Sequence, residues 1–154
     1  MIAIDTNVLV AAHRRDATWH DAARNAVSRL AEGPAPWAIP WPCVHEFLAI
    51  ATHPRIFDPP STLEQAAGQV EAWIQAPTLE LISEIPSHWP TLHALLRAGR
   101  VLGPRVHDAR VAAICVAHGV SELWSADRDF SRFPTLVVRN PLVETPPGNL
   151  SIGV

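Results

Sequence analysis

Lysine is absent from this 154-residue chain, and all twelve of its basic residues are arginine. Alongside abundant alanine and proline, that imbalance fits G+C-rich codon usage better than a selected phosphate-binding surface. Cysteine is scarce as well. Cys43 and Cys115 are too few for a disulfide framework, and neither lies in a CxxC or in a His/Cys cluster with zinc spacing. A reduced, cytoplasmic setting is expected. No apolar run approaches the roughly 20 residues that cross a bilayer, so no membrane association is expected. The start, Met1-Ile2-Ala3-Ile4-Asp5, lacks the basic residues and apolar stretch of a signal peptide, and the mature chain is expected to begin at Met1. A basic surplus is missing too. The formal charge of −3 argues by itself against a nucleic-acid binder, whose phosphate contacts come from a basic surface. Divalent cations bound to a carboxylate cluster would remove that objection and leave the remaining surface near balance.

What is present is globular. At 154 residues, 48% hydrophobic and 18% charged, the chain can bury one core without staples and shows no internal repeat. Short apolar runs alternate with helical patterns, the signature of an α/β domain with a mainly parallel sheet. Strands are expected at residues 2–5, 37–39, 79–82, 122–125 and 136–138. Thr6 is expected to cap a short helix over 7–12. A helix over about 18–30 places Trp19, Ala22, Ala23, Ala26, Val27 and Leu30 at helical spacing. Pro40 and Pro42 set up a helix running to about 52. Ser61-Thr62-Leu63-Glu64 reads as a capping box opening a helix whose Ala66, Ala67, Val70, Trp73 and Ile74 share a face. Further helices are expected over 87–98, closed by Gly99, and over 105–118, with Gly119 as cap. Residues 1–140 form the expected domain, and 141–154 an arm or tail.

In a parallel α/β sheet every strand ends, and the next helix begins, on one edge, where such folds place their ligands. Four acids meet that rule: Asp5 ends the first strand, Glu46 lies early in the helix after the second, Asp108 opens the 105–118 helix, and Asp127 follows the fourth strand. Attraction of acids to helix N-termini, about 0.3–1 kcal/mol, suffices to explain Asp21 or Glu64. It fits Asp108 poorly. The helix behind Asp108 continues as Val111-Ala112-Ala113-Ile114-Cys115-Val116-Ala117, a buried pattern, and a carboxylate entering it needs a strong partner, either Arg110 or a metal ion. Glu46 stands roughly 40° beyond the apolar arc of Cys43, Val44, Phe47, Leu48, Ile50 and Ala51, a place that suits a cleft residue and an exposed Glu equally. Asp5 and Asp127 are open to turn chemistry as well as to a site.

Together, Ile4-Asp5-Thr6-Asn7-Val8-Leu9, Glu46, His107-Asp108-Ala109 and Ser125-Ala126-Asp127-Arg128-Asp129-Phe130 resemble the PIN domain, and most closely the VapC toxins of toxin–antitoxin pairs. The resemblance covers nearly the whole chain. It implies a three-layer α/β/α fold with a central, mainly parallel sheet, an Mg2+ or Mn2+ site, endoribonuclease activity, a VapB-type antitoxin partner and a homodimer. Asp5 and Asp108 then correspond to the most direct metal ligands, with Glu46 and Asp127 completing the pocket. Thr6 and Ser125 match hydroxyl positions beside it, and Asp129 a more variable one.

An all-oxygen cluster suits a hard cation, which would activate water for attack on phosphorus. The resemblance implies 5′-phosphate and 3′-hydroxyl products. Arg14, Arg15, Arg105, Arg110, Arg128 and Arg132 are candidates for RNA phosphate contacts, against a solvated-surface reading for any one of them. Trp73 and Ile74, on more apolar helix surface than a small sheet covers, suggest a groove for a partner's amphipathic segment, with core packing the other reading of Trp73. Two rival functions stand. A haloacid-dehalogenase-like phosphatase would want an acid where Asn7 stands and a catalytic lysine, and a non-catalytic PIN-like binding module would not need the full acidic set.

Overall fold

The computed structural model describes residues 1–143. The strands are β1 (Ile2–Ile4), β2 (Trp37–Pro40), β3 (Leu79–Ile82), β4 (Glu122–Trp124) and β5 (Val138–Arg139). The helices are α1 (Thr6–His13), α2 (His20–Glu32), α3 (Trp41–Ala51), α4 (Leu63–Ile74), α5 (His88–Gly99) and α6 (Val106–Ala117), with 3-10 turns at Gly103–Arg105 and Arg128–Arg132. All pairings within the five-stranded sheet are parallel, in the order β3-β2-β1-β4-β5. Helices flank this sheet in the expected three-layer α/β/α arrangement.

The strand order positions the site. From β1 the chain builds outward through β2 and β3, then returns to lay β4 and β5 on the other side of β1. The order therefore reverses between β1 and β4, and the crevice beyond their carboxyl ends is where doubly wound sheets bind ligands. Strands covered on both faces need near-continuous apolar sequence. Ala3, Ile4, Trp37, Ala38, Ile39 and Leu123 are accordingly inaccessible to solvent.

Several local expectations are corrected. Thr6 does not cap α1; Asp5 is the cap residue, and the Thr6 hydroxyl points to Glu46. The capping box sits one residue later than expected, on Thr62 and Gln65. Ser61 is unavailable for it because its buried hydroxyl is engaged by His13 and Arg14. Gly99 is the last residue of α5, and Arg100 takes the left-handed position at φ 49°. The glycine serves close approach instead: a Cβ there would lie 3.0 Å from the Val101 side chain and 3.3 Å from the Arg132 carbonyl oxygen. Gly119 does occupy the expected left-handed cap position. Trp19 precedes α2 and is exposed, because the helix starts at His20. The last strand begins at Val138, after Leu136 has turned into the core. Of the expected tail, Pro141 and Leu142 are buried, and residues 144–154 lie outside the described residues.

Trp73 belongs to the core and not to a partner groove. It is buried edge-on against Phe47, with ring centroids 4.8 Å apart, whereas Ile74 on the same helix is exposed. Trp73→Ala is expected to cost about 3–5 kcal/mol, the range for emptying a buried aromatic site. Urea unfolding midpoints at unchanged m-value measure it, and a loss below about 1 kcal/mol would show that Trp73 contributes little to the core.

Candidate active site

The registry of the central strands brings the first residues together. Ile4 pairs with Trp124, so Asp5 and Ser125 leave the sheet side by side, and the Asp5 N–H donates to the Trp124 carbonyl at 3.0 Å. The Ser125 hydroxyl donates to Asp5 Oδ2 at 2.7 Å. The same oxygen accepts from the Asn7 amide at 3.0 Å, and that amide also donates to Ser125 Oγ at 3.1 Å. Asn7 Oδ1 accepts the Ala126 N–H at 3.0 Å, and Ser125 Oγ accepts the Asp127 N–H at 3.0 Å. The Cys43 thiol, buried in α3, donates to Asp5 Oδ1 at 3.5 Å. Asp5 is thus an almost fully buried carboxylate (7% exposed) set among short polar contacts. Burial pushes its pKa up, against the lowering effect of the Ser125, Thr6 and Cys43 hydrogen bonds.

The remaining acids approach from three further elements. Asp127 opens the Arg128–Arg132 turn, where its Oδ1 accepts the Asp129 N–H at 2.8 Å. Asp108 lies in the first turn of α6, ahead of the buried Ala109 and Val111–Cys115 run. Carboxylate oxygens of Asp108, Asp127 and Asp129 all lie within 4.8 Å of one another, each side chain half-buried. Glu46, exposed on α3, accepts the Thr6 hydroxyl at 3.0 Å. The Asp108 pKa is raised to about 6, first by burial and then by the negative charges of Asp127, Asp5, Asp129 and Glu46. Five acids from β1, α3, α6 and the β4 exit therefore share one electrostatic site.

Among the described residues, the tight group of three or more potential metal ligands is Asp108, Asp127 and Asp129. Asp129, expected as a variable position, belongs to it, while Asp5 and Glu46 stand outside that 4.8 Å group. The donor set fits a hard divalent cation: it is all oxygen and closely grouped, and the neighbouring acids add to burial in raising the Asp108 pKa.

Arg110 does not partner Asp108. It pairs with Glu84, holding that carboxyl below its usual range. Arg105 reaches Asp129 at 3.6 Å, and Arg132 donates to the Gly99 carbonyl at 3.3 Å. Arg14 pairs with Asp16 at 2.7 Å, bonds Ser61 and Pro59, and lies 4.2 Å over the Phe57 ring. Arg14 and Arg15 follow the far end of the eight-residue α1, which spans about 12 Å at 1.5 Å per residue. No hydrogen bond or ion pair joins either of them to the clustered acids among the described residues. Arg15 and Arg128 are exposed and make no hydrogen bond or ion pair among the described residues. A cleft of about 590 Å³ adjoins Ser125 and Asp127, with Arg128 and Asn140 in its wall. A larger one of about 850 Å³, beside His13 and Arg24, contains none of the clustered acids, so its size does not make it the site. Two positions whose side chains organise the site had no role assigned from sequence: Asn7, signalled by its place two residues after Asp5, and Cys43, which no pattern singled out.

Charge repulsion at Asp108 has a pH signature. The raised pKa makes the metal-free fold bind a proton more tightly than the unfolded chain, so this group stabilises least above about 6 and its penalty fades as pH falls toward 3.8. In chelator, Asp108→Asn is expected to melt higher than wild type at pH 7.5, with the gap narrowing by pH 5. A gap independent of pH would show that the charge carries no penalty.

The PIN domain family model matches residues 2–136. The chain is 31% identical over 137 residues to ribonuclease VapC48 of Mycobacterium tuberculosis, covering 89% of this chain and 94% of the relative. To ribonuclease VapC31 of the same organism it is 36% identical over 143 residues, covering 92% and 100%. Among solved structures, VapBC2 from Rickettsia felis bound to a DNA fragment from its promoter matches with a TM-score of 0.65 and 21% identity, covering 91% of this chain and 98% of that one.

Proposed function

The chain belongs to the PIN-domain family, among the VapC ribonucleases, and on that premise we propose that it is an Mg2+- or Mn2+-dependent endoribonuclease, the toxin of a VapBC-type pair. The observation that carries the metal-dependent reading is the group of Asp108, Asp127 and Asp129, whose oxygens approach within 4.8 Å beside the buried Asp5. Asp108, Asp127 and Asp129 would hold the ion together with Asp5, and Glu46 would complete the acidic pocket. When bound, such an ion supplies activation of water and neutralisation of charge developing on the phosphate. The chain's own residues do the rest. Ser125 and Asn7 fix the orientation of Asp5, Thr6 holds Glu46, and the main chain of Asp129 orients Asp127. Arg105 and Arg128 flank the cluster on its solvent side as contacts for RNA phosphates, with Arg132 on the same turn.

The reading includes a VapB-type antitoxin, a homodimer and a cytoplasmic location, with residues 1–140 as the nuclease domain and 141–154 as its C-terminal arm. The likeness to a solved VapBC assembly supports the antitoxin. No helix among the described residues is long and apolar enough to cross a membrane. A phosphatase reading is disfavoured by Asn7, which stands where a second acid is wanted and whose amide donates to Asp5 and Ser125. Intact acids disfavour a pure binding module. The test is end analysis of RNA exposed to the purified chain: internal cuts leaving 5′-phosphate and 3′-hydroxyl termini support the reading, and intact RNA under all divalent ions overturns it.

A further inference from the structure

We propose that Asn7 is a positioning residue that sets the affinity of the acidic site for its divalent ion, an inference that rests on the metal-dependent reading above. An asparagine side chain offers an amide donor group and a carbonyl acceptor, and at Asn7 both are committed. The amide nitrogen Nδ2 donates to both Asp5 Oδ2 at 3.0 Å and Ser125 Oγ at 3.1 Å, and the carbonyl takes the Ala126 N–H at 3.0 Å. Each partner leads to the site. Asp5 is one of the acids, Ser125 bonds both Asp5 and the Asp127 N–H, and Ala126 is the main-chain link between them. Asn7 therefore ties the start of α1 to the exit of β4 across 118 positions of sequence.

No other amino acid of this size supplies that set. Asp would lose the amide donor and put a further negative charge beside Asp5, and Ser or Thr would be too short to span Asp5 and the Ala126 N–H together. The tie also acts where the geometry is weakest. β1 and β4 contribute three residues each, so little else fixes how Asp5 stands relative to Asp127 once both have left the sheet. A ligand cage whose members are held in advance binds an ion more tightly than one that must be assembled, and loss of an outer partner typically costs about 10–100-fold in metal affinity.

The experiment is an EPR titration with Mn2+ on wild type, Asn7→Ala, Ser125→Ala and the double variant, with melting temperatures recorded in chelator. Asn7→Ala is expected to fold and to bind Mn2+ about 10–100-fold more weakly. Rates at saturating ion should fall by less than the affinity does. Because Asn7 acts in part through Ser125, the double variant should lose less than the product of the single losses. Asn7→Ser keeps one short donor and should fall between wild type and Ala, and it serves as the decisive variant if the alanine form does not fold. A folded Asn7→Ala or Asn7→Ser protein with wild-type Mn2+ affinity overturns this inference alone. Wild type that takes up no Mn2+ overturns the metal-dependent reading and this inference with it.

Discussion

Asp108→Asn is expected to lower Mg2+-dependent RNA cleavage by at least about a thousandfold, roughly 4 kcal/mol of transition-state stabilisation, while the protein stays folded. The substitution keeps the shape of the side chain and one acceptor oxygen. It removes a charge that sits half-buried at the mouth of the site, with Asp127 and Asp129 within 4.8 Å. Arg110 is engaged by Glu84, so no structural ion pair is broken at Asp108. Growth inhibition on expression should disappear with the cleavage. Activity and melting temperature must be read on the same preparation, because an unfolded variant would also be inactive. A folded Asp108→Asn protein that cleaves at the wild-type rate would exclude Asp108 from the chemistry.

A second large effect is stabilisation by the ion itself. A ligand that binds only the folded state adds about 2.7 kcal/mol at a hundred times its Kd. For a chain of this length, that corresponds to a rise in Tm of roughly 5–10 °C. The rise should be larger here at pH 7.5 than at pH 5.5, because Asp108, with its pKa near 6, must give up its proton to serve the ion. Asp5→Asn should shrink the rise without lowering the ion-free melting temperature much. Its carbonyl oxygen can still accept from Ser125 and Asn7, and it no longer carries a buried charge. Equal shifts in wild type and Asp5→Asn would remove Asp5 from the ion's surroundings.

The parts of this design that depend on periodicity were open to reading from sequence. The buried runs of β1 and β2, the amphipathic α2 and the apolar body of α6 each carry their own pattern, and the strand-end rule then drew Asp5, Glu46, Asp108 and Asp127 to one edge. What stayed hidden depends on contacts between distant segments. The capping box shifted because Ser61 is drawn away by His13 and Arg14, which come from the end of α1. Gly99 looks like a helix stop in sequence, yet its role is to let the Arg132 main chain come near. Arg110 lies two residues beyond Asp108, but α5's preceding loop supplies Glu84 as a nearer partner. Asp129 joins the acidic group because a 3-10 turn places it beside Asp127, a local fold with no hydrophobic signature. Arg14 and Arg15 stand one α1 length away from Asp5. Proximity to Asp5 in sequence does not survive eight residues of helix.

On the proposed function, these carboxylates would hold the divalent ion on which RNA cleavage by this chain depends. The most direct test is cleavage of a defined RNA by the purified wild-type chain in excess chelator, then after Mg2+ or Mn2+ is restored. No cleavage in chelator and full recovery on adding either ion is the predicted result, and cleavage that proceeds undiminished in chelator would contradict the account.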